Sequence, residues 1–344
     1  MKTIPAKGLL PLLLAVCFLP KFLLAQATPV AALPSIFDYL TKQEGETLRL
    51  EMDLTELLAN RRSINYFPAA LTTPAGQSFA LEVRPRGKFR RKTNEIPPLK
   101  LKFSKITLQA AGLDTLNEIK LVLPSSFDAK GEELILREYI AYRMYERLTP
   151  ISFRARLIRL ELLDKQSSKP RHSCALLLEH EEEVALRQRS QITEVWGLPK
   201  EGVDMDQAAL TVLFEYFIGN TDWEMVSSRN MLFLRPLDNG QMLTMPYDFD
   251  FSGLVSAPYA SPNSTTGLKN VRDRCLMAQG IPPESLRKAV QVLKSARKDL
   301  TDLCALSYLS KKASAQMVSY LTTFFEAVED DNAEVPAKLV ITKH

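Results

Sequence analysis

The sequence predicts an α+β protein of two lobes, a β-rich N-terminal lobe with one main helix and a largely helical C-terminal lobe. Three observations predict it. Apolar residues alternate with polar ones through much of 47–105 and again in LNEIKLVLP at 116–124, the period-two signature of half-buried strands. In KGEELILREYIAYRMYERL (130–148), Leu136, Ile140, Met144 and Leu148 recur every four residues, widened by Ile135 and Tyr139, which is a helical stripe. From 283 onward only helical patterns follow, whereas a parallel α/β sheet needs strands alternating with helices throughout.

Composition narrows the function classes. The 344 residues are 46% hydrophobic and 24% charged, with a mean hydropathy of -0.10, proportions of a globular chain rather than of a fibrous, disordered or polytopic membrane one. A net charge of +4, from 44 basic and 40 acidic residues, is too small to point to a dedicated nucleic-acid binder. Three histidines without metal-ligand spacing exclude a His-rich zinc enzyme, and four cysteines exclude a disulfide-dense scaffold.

Residues 1–27 carry Lys2 and Lys7, an apolar run, and Ala25-Gln26-Ala27, the pattern of a cleaved secretory signal. An exported protein is expected: periplasmic, outer-membrane-associated or secreted, with no need of membrane attachment after cleavage. Cys174, Cys275 and Cys304 would remain; Cys174 in CALLLE reads as a buried inert thiol, and a Cys275–Cys304 bridge is left open. A short Ala/Pro-rich segment at 28–45 leads into the N-terminal lobe at 46–180, and the C-terminal lobe occupies 181–344.

Within the first lobe, strands are expected at TLRLEMDL, FALEVRPRG, LKLKF and LNEIKLVLP. The helix over about 130–148 follows, with Asp128 as its N-cap and Thr149–Pro150 as its stop. RARLIRLELLD (154–164) and CALLLE (174–179) form a hairpin. In the second lobe MDQAALTVLFEYFIGN (205–220) is a helix apolar nearly all round, hence buried. NMLFLRP (230–236) and QMLTMPY (241–247) form a hairpin turned by Asp238-Asn239-Gly240. Helices follow at about 283–298, 300–309 and 311–329.

Several groups carry chemistry. Asp248 and Asp250, two carboxylates spaced i, i+2 at a strand end in MLTMPYDFDFSG, are hard oxygen donors suited to Mg²⁺ or Mn²⁺ near a phosphate; a turn in which they cap backbone amides is the plain alternative. In GNTDWEMVSSRN, Asp222 is placed to accept a hydroxyl proton and Asn230 to offer a neutral oxygen to a metal; the alternative is a loop of Asx turns at Asn220 and Asp222. RPRGKFRRK puts six cations into nine residues, and in a strand Arg84, Arg86, Lys88 and Arg90 would share one face suited to a polyanion. Its alternative is a solvated edge strand. Lys100 and Lys102 lie opposite Leu99, Leu101 and Phe103 and could neutralise nucleotide phosphates, with Glu133 or Glu138 as the fixing acid. Glu179, just before His180 and Glu181 to Glu183, is a further candidate.

A strand lysine, a helix with acids, a hairpin, an Asp/Asn loop and a metal-type Asp at a strand end follow the order of parts in a two-lobed kinase. The spacing differs from ordinary protein kinases, since Asp222 and Asn230 are eight apart and no HRD triplet occurs. From Arg86 to Gly253, about half the chain, the sequence resembles the atypical kinases of the spore-coat CotH type. RGKFRRK…PPLKLKF is similar to that family's RG segment and lysine strand, ELILREYIAYRMYERL to its arginine-bearing helix, CALLLEHEEEVALR to its Glu-ending strand, and GNTDWEMVSSRNMLFL with PYDFDFSG to its Asp/Asn loop and metal motif. Tyr247 stands where that motif has tryptophan, and a Gly-rich nucleotide loop is missing.

The resemblance implies a kinase-like architecture and transfer of the terminal phosphoryl of ATP to a protein hydroxyl. Asp222 would be the base, Asn230 and Asp248 the ligands of Mg or Mn, and Asp250 part of the same turn. Lys100 or Lys102 would hold the nucleotide, with Arg86 and Glu179 beside it. The partners implied are a nucleotide and a protein substrate. A catalytically inactive binding or structural protein of the cell envelope is the alternative. Asp248-x-Asp250 also mimics a haloacid-dehalogenase nucleophile, but that reading needs a parallel βα sheet after the motif.

Overall fold

The computed structural model describes residues 33–329 except 168, 196 and 198–201. The signal segment read at 1–27 lies outside the described residues. Seven strands, β1 (Thr47–Met52), β2 (Phe67–Thr72), β3 (Ser78–Pro85), β4 (Leu99–Phe103), β5 (Glu118–Val122), β6 (Ala155–Asp164) and β7 (Arg171–Leu178), close into a barrel in the order β1-β2-β3-β4-β5-β7-β6. Every pairing is antiparallel except the closing one, where β1 runs parallel to β6 from Thr47↔Arg159 to Met52↔Asp164. The short helices α1 (Ile36–Leu40) and α2 (Leu54–Ala59) flank β1, α3 (Arg90–Thr93) and α4 (Lys105–Ala110) flank β4, and α5 (Ala129–Leu148) joins β5 to β6.

This closure corrects the expected architecture. The two-lobed kinase-like fold with a β-rich N-terminal lobe is not what forms; a closed seven-stranded mixed barrel stands in its place. Alternation is readable at TLRLEMDL, FALEVRPRG and LKLKF, and residues of this kind fill the barrel: Leu48, Leu50, Leu71, Phe79, Val83, Leu101, Ile119 and Leu160 form one buried cluster. Period two, however, assigns an inner face without saying whether the first and last strands meet. That meeting joins β1 to β6 across more than a hundred residues, a separation over which local pattern carries no information.

Two strands of the barrel, β5 and β7, are buried on both faces over most of their length. On β7, Ala175 and Leu177 enter the barrel, while Cys174, Leu176 and Leu178 join a second cluster outside it. Hence CALLLE reads as a continuous apolar run. Helix α5 covers this wall, capped by Asp128, whose carboxylate accepts the Gly131 N–H at 2.8 Å. The second cluster extends into α6 (Glu181–Arg187), α7 (Met205–Ile218), β9 (Met231–Pro236), β10 (Leu243–Pro246), α8 (Pro283–Ser295), α9 (Arg297–Asp302) and α10 (Lys311–Ala327), and β8 (Ser190–Thr193) pairs with β9 at its edge. The three strands among them form a sheet in the order β10-β9-β8. Helix α7 is buried nearly all round, with Phe214 against Phe249 and Phe217 against Phe324. Cys174, Cys275 and Cys304 are free thiols. Among the described residues no helix is long and apolar enough to cross a membrane.

Candidate functional site

Loops from the barrel and from the C-terminal elements meet around a cleft of about 660 Å³, lined among others by Arg86, Arg90, Asp222, Asn230, Asp248 and Asp250. Two glycines explain how the Asp222 loop and the Asp248–Asp250 turn come together. Gly219 ends α7 in the left-handed region, and its carbonyl accepts the Gly253 N–H at 3.0 Å, while the Ile218 carbonyl accepts the Leu254 N–H at 2.9 Å. The backbones cross with Tyr320 laid over them: a Cβ on Gly253 would lie 2.4 Å from Tyr320 Oη and 2.7 Å from the Val271 carbonyl oxygen. We predict that Gly253→Ala costs about 1–3 kcal/mol by this overpacking. Urea unfolding would read it, and an unchanged midpoint would disprove the tight crossing.

The Asp222 loop is built by local hydrogen bonds. Asn220 Oδ1 accepts the Asp222 N–H at 3.0 Å, which is the Asx turn that the sequence allowed, and Trp223 Nε1 donates to the Asn220 carbonyl at 3.2 Å. Asn230, in the left-handed region at φ 52°, donates through Nδ2 to the Asp222 carbonyl at 2.6 Å and to Asp222 Oδ2 at 3.1 Å. The Asp/Asn pair thus closes on itself across eight residues. Burial raises the pKa of Asp222, Arg229 beside it lowers it, and Asp248 and Asp250 raise it further.

Asn230 also fixes its distance to the acidic turn. Its carbonyl accepts the Tyr247 N–H at 3.1 Å, extending the β9–β10 ladder by one pair and setting Asn230 next to Asp248. Asp248 sits in the left-handed region at φ 67° with its N–H donated to Tyr142 Oη at 2.9 Å. A non-glycine residue held there is strained; the strain turns Asp248, half-exposed, toward the cleft, while Asp250 points inward.

The buried Arg90 organises this acidic group. Its Nε donates to Asp250 Oδ2 at 2.7 Å, and its Nη2 donates to Glu138 Oε1 at 2.8 Å and to Asp248 Oδ1 at 3.0 Å. One guanidinium therefore faces three carboxylates. Burial, with Asp250 and Asp248 nearby, pushes Glu138 up to about 7 against the opposing pull of Arg90. Asp250 is raised for the same first reason, its burial. The basic stretch does not run on as one strand: β3 ends at Pro85, Gly87 turns at φ 83°, and α3 carries Arg90 into the protein.

The structure brings Asp222, Asn230, Asp248, Asp250 and Arg86 of the sequence-predicted residues to the cleft. Asp250 lies in its floor, but its Oδ2 is taken by Arg90 and by Tyr259 at 3.1 Å, so it orients the arginine. Glu179 is wholly buried and does not line the cleft: it accepts from the Arg154 N–H and Nε and from Arg187 Nη2, a structural knot. Lys100 is paired with Glu118, and Lys102 lies 3.6 Å from Glu82 on the outer barrel face.

Sequence reasoning missed Lys120. It sits on β5 with its side chain 8% exposed, paired to Glu181 at 2.8 Å and stacked over Phe153 and Tyr247. With Arg86, Glu138 and Asp248 it lines a small recess opening beside the cleft. Burial lowers its pKa to about 8 against the pull of Glu181, and Arg86 and Lys100 lower it further. Between about 8 and the usual 10.5 the unfolded chain holds a proton that the folded one lacks, so Lys120 makes stability rise with pH through that window. NMR of the labelled lysine side chain is expected to show a midpoint near 8; an ordinary midpoint would refute its desolvation.

No family model and no curated protein matches the chain.

Among the described residues no group of three or more His, Cys, Asp or Glu forms a metal cage of its own. Asp248 and Asn230 both line the cleft and each can offer a hard oxygen donor. Two protein ligands suit a small divalent cation that keeps several waters and takes its remaining ligands from phosphate oxygens. They do not suit a cation held by protein alone.

Proposed function

We propose that the cleft binds a nucleoside triphosphate together with Mg²⁺ or Mn²⁺ and transfers the terminal phosphoryl group to the hydroxyl of a protein substrate. The observation that supports this reading is that an Asp222–Asn230 pair, the strained Asp248 and Arg86 line one cleft, with the buried Lys120 in the recess that shares Arg86 and Asp248 with it. The likeness of GNTDWEMVSSRN and PYDFDFSG to CotH-type kinase segments points the same way. The signal-like residues 1–27 put that activity, in this reading, outside the cytoplasm.

Asn230 and Asp248 would hold the cation, which when bound neutralises phosphate charge as it shifts toward the leaving group. Lys120 and Arg86 neutralise phosphate oxygens from the barrel side, Lys120 in a desolvated setting where the attraction is strengthened. Asp222 accepts the acceptor hydroxyl's proton while the hydroxyl oxygen bonds to phosphorus and the bond to the diphosphate breaks. Asn230 holds the carboxylate of Asp222 in place for that transfer. Arg90 keeps Asp248 and Asp250 from repelling one another.

The first test is nucleotide binding. Mg-ATP or Mn-ATP at about a hundredfold above its Kd is expected to stabilise the protein by about 2.7 kcal/mol, seen as a rise of several degrees in Tm. Lys120→Met and Asp248→Ala should each abolish that rise. No response of the parent protein to either metal nucleotide would overturn the reading; binding without transfer to any protein hydroxyl would leave the inactive-binder alternative standing.

A further inference from the structure

The outer face of β3, β4 and β5 carries a row of like charges in register: Arg84 pairs with Lys100, and Lys100 with Lys120. Like charges directly opposite on neighbouring strands destabilise a sheet, so the arrangement calls for a compensating anion. Glu118 and Glu181 neutralise Lys100 and Lys120. Among the described residues no carboxylate pairs with Arg84 or Arg86, and Arg84 Nε is sealed from solvent without a partner. Arg84 and Lys102 instead lie on the ring of Tyr66, at 5.2 and 4.9 Å from its centre.

Two plain explanations fail. Charged edge strands deter aggregation, but each of these strands is paired on both sides in a closed barrel. A solvated face would be open to water, yet the side chains of Lys100 and Lys120 are only 19% and 8% exposed. The row also leads somewhere. Arg86 and Lys100 both act electrostatically on Lys120, and Arg86 and Lys120 line the recess beside Asp248. At the usual strand spacing, Arg84 to Lys120 spans roughly 10 Å.

We propose that Arg86, Lys120, Lys100 and Arg84 form a continuous track for a chain of linked phosphates running from the cleft across the outer barrel face. The track rests on the phosphoryl-transfer reading for its direction, with the reacting end at Asp248. The linked phosphates are carried either by a nucleotide or by an inorganic polyphosphate. Lys100 and Lys120 exchange part of their contact with Glu118 and Glu181 for phosphate oxygens, and Arg84 gains the anion it lacks.

Calorimetric titration of the full chain with inorganic tripolyphosphate, orthophosphate and Mg-ATP tests it. Arg84→Gln and Lys100→Gln should each weaken tripolyphosphate about tenfold, the loss of one charge-assisted contact, and orthophosphate should bind far more weakly than tripolyphosphate. Arg84→Lys, which keeps the charge, should retain most of the affinity, and unfolding midpoints of all variants guard against a folding defect. If Mg-ATP weakens in parallel, the track serves a nucleotide; if tripolyphosphate alone weakens, it serves an inorganic chain. Unchanged tripolyphosphate affinity in both glutamine variants overturns the track. That failure is distinct from failure of the catalytic reading, in which Asp248→Ala leaves Mg-ATP binding intact.

Discussion

Arg90→Met is expected to destabilise the protein by about 3–5 kcal/mol at neutral pH, the loss found when one partner of a buried ion pair is removed. The magnitude follows from what is left behind. Arg90 is the shared donor to Glu138, Asp248 and Asp250, and the side chains of Glu138 and Asp250 are only 3% and 5% exposed. Asp248, at 46%, can turn to water; the other two cannot. The deficit should also depend on pH. Glu138 is already raised from 4.5 to about 7 by its burial, despite Arg90. Through that window the folded chain keeps a proton that the unfolded one releases, so this group makes stability fall as pH rises. Without Arg90 the pKa values of Glu138 and Asp250 rise further, and the penalty at pH 7 exceeds that at pH 5. Urea unfolding at both pH values checks this. Adding Glu138→Gln to the Arg90→Met background should recover part of the loss, since a neutral amide replaces an uncompensated charge. A small, pH-independent deficit would show that Arg90 does not hold the acidic group.

The parts legible in the sequence were those fixed by neighbours a few residues away. The stripe Leu136, Ile140, Met144 and Leu148 marked α5, and the Asp128 cap closes its first turn as the sequence indicated. The loop from Asn220 to Asn230 was visible because Asn and Asp make local turns. What stayed hidden was set by distant contacts. Lys120 stands alone in EIKLVLP and looks like any outward lysine; its burial comes from Phe153, Tyr247 and Glu181, brought over it by the β6–β7 hairpin and by the turn after β10. Arg90 is one of six cations in nine residues, and only the turn at Gly87 separates it from its solvent-facing neighbours. Glu179 sat in a motif shared with functional acids, yet Arg154 and Arg187 take its oxygens. The closure of the barrel belongs to the same class, since no residue near β1 or β6 announces the other.

Asp222→Asn should reduce phosphoryl transfer by about 10²–10⁴-fold, the range for removal of a positioned general base, equivalent to about 3–5 kcal/mol of barrier. The change preserves shape and the hydrogen bond that holds the Asp222 backbone carbonyl to Asn230 Nδ2 at 2.6 Å, so the loop remains folded. It removes the one group of the pair able to take a proton. With Asp222 placed against the acceptor hydroxyl and not the nucleotide phosphates, the loss belongs in kcat, with the apparent affinity for Mg-ATP unchanged. Lys120→Met should behave in the opposite manner, losing nucleotide binding first. A variant merely disordered at the loop would lose both together, and its Tm would fall; the two substitutions therefore separate proton transfer from binding and from folding. Transfer at the parental rate by Asp222→Asn would remove Asp222 from the reaction, and the Asp222–Asn230 pair would then be a loop lock that happens to face the cleft.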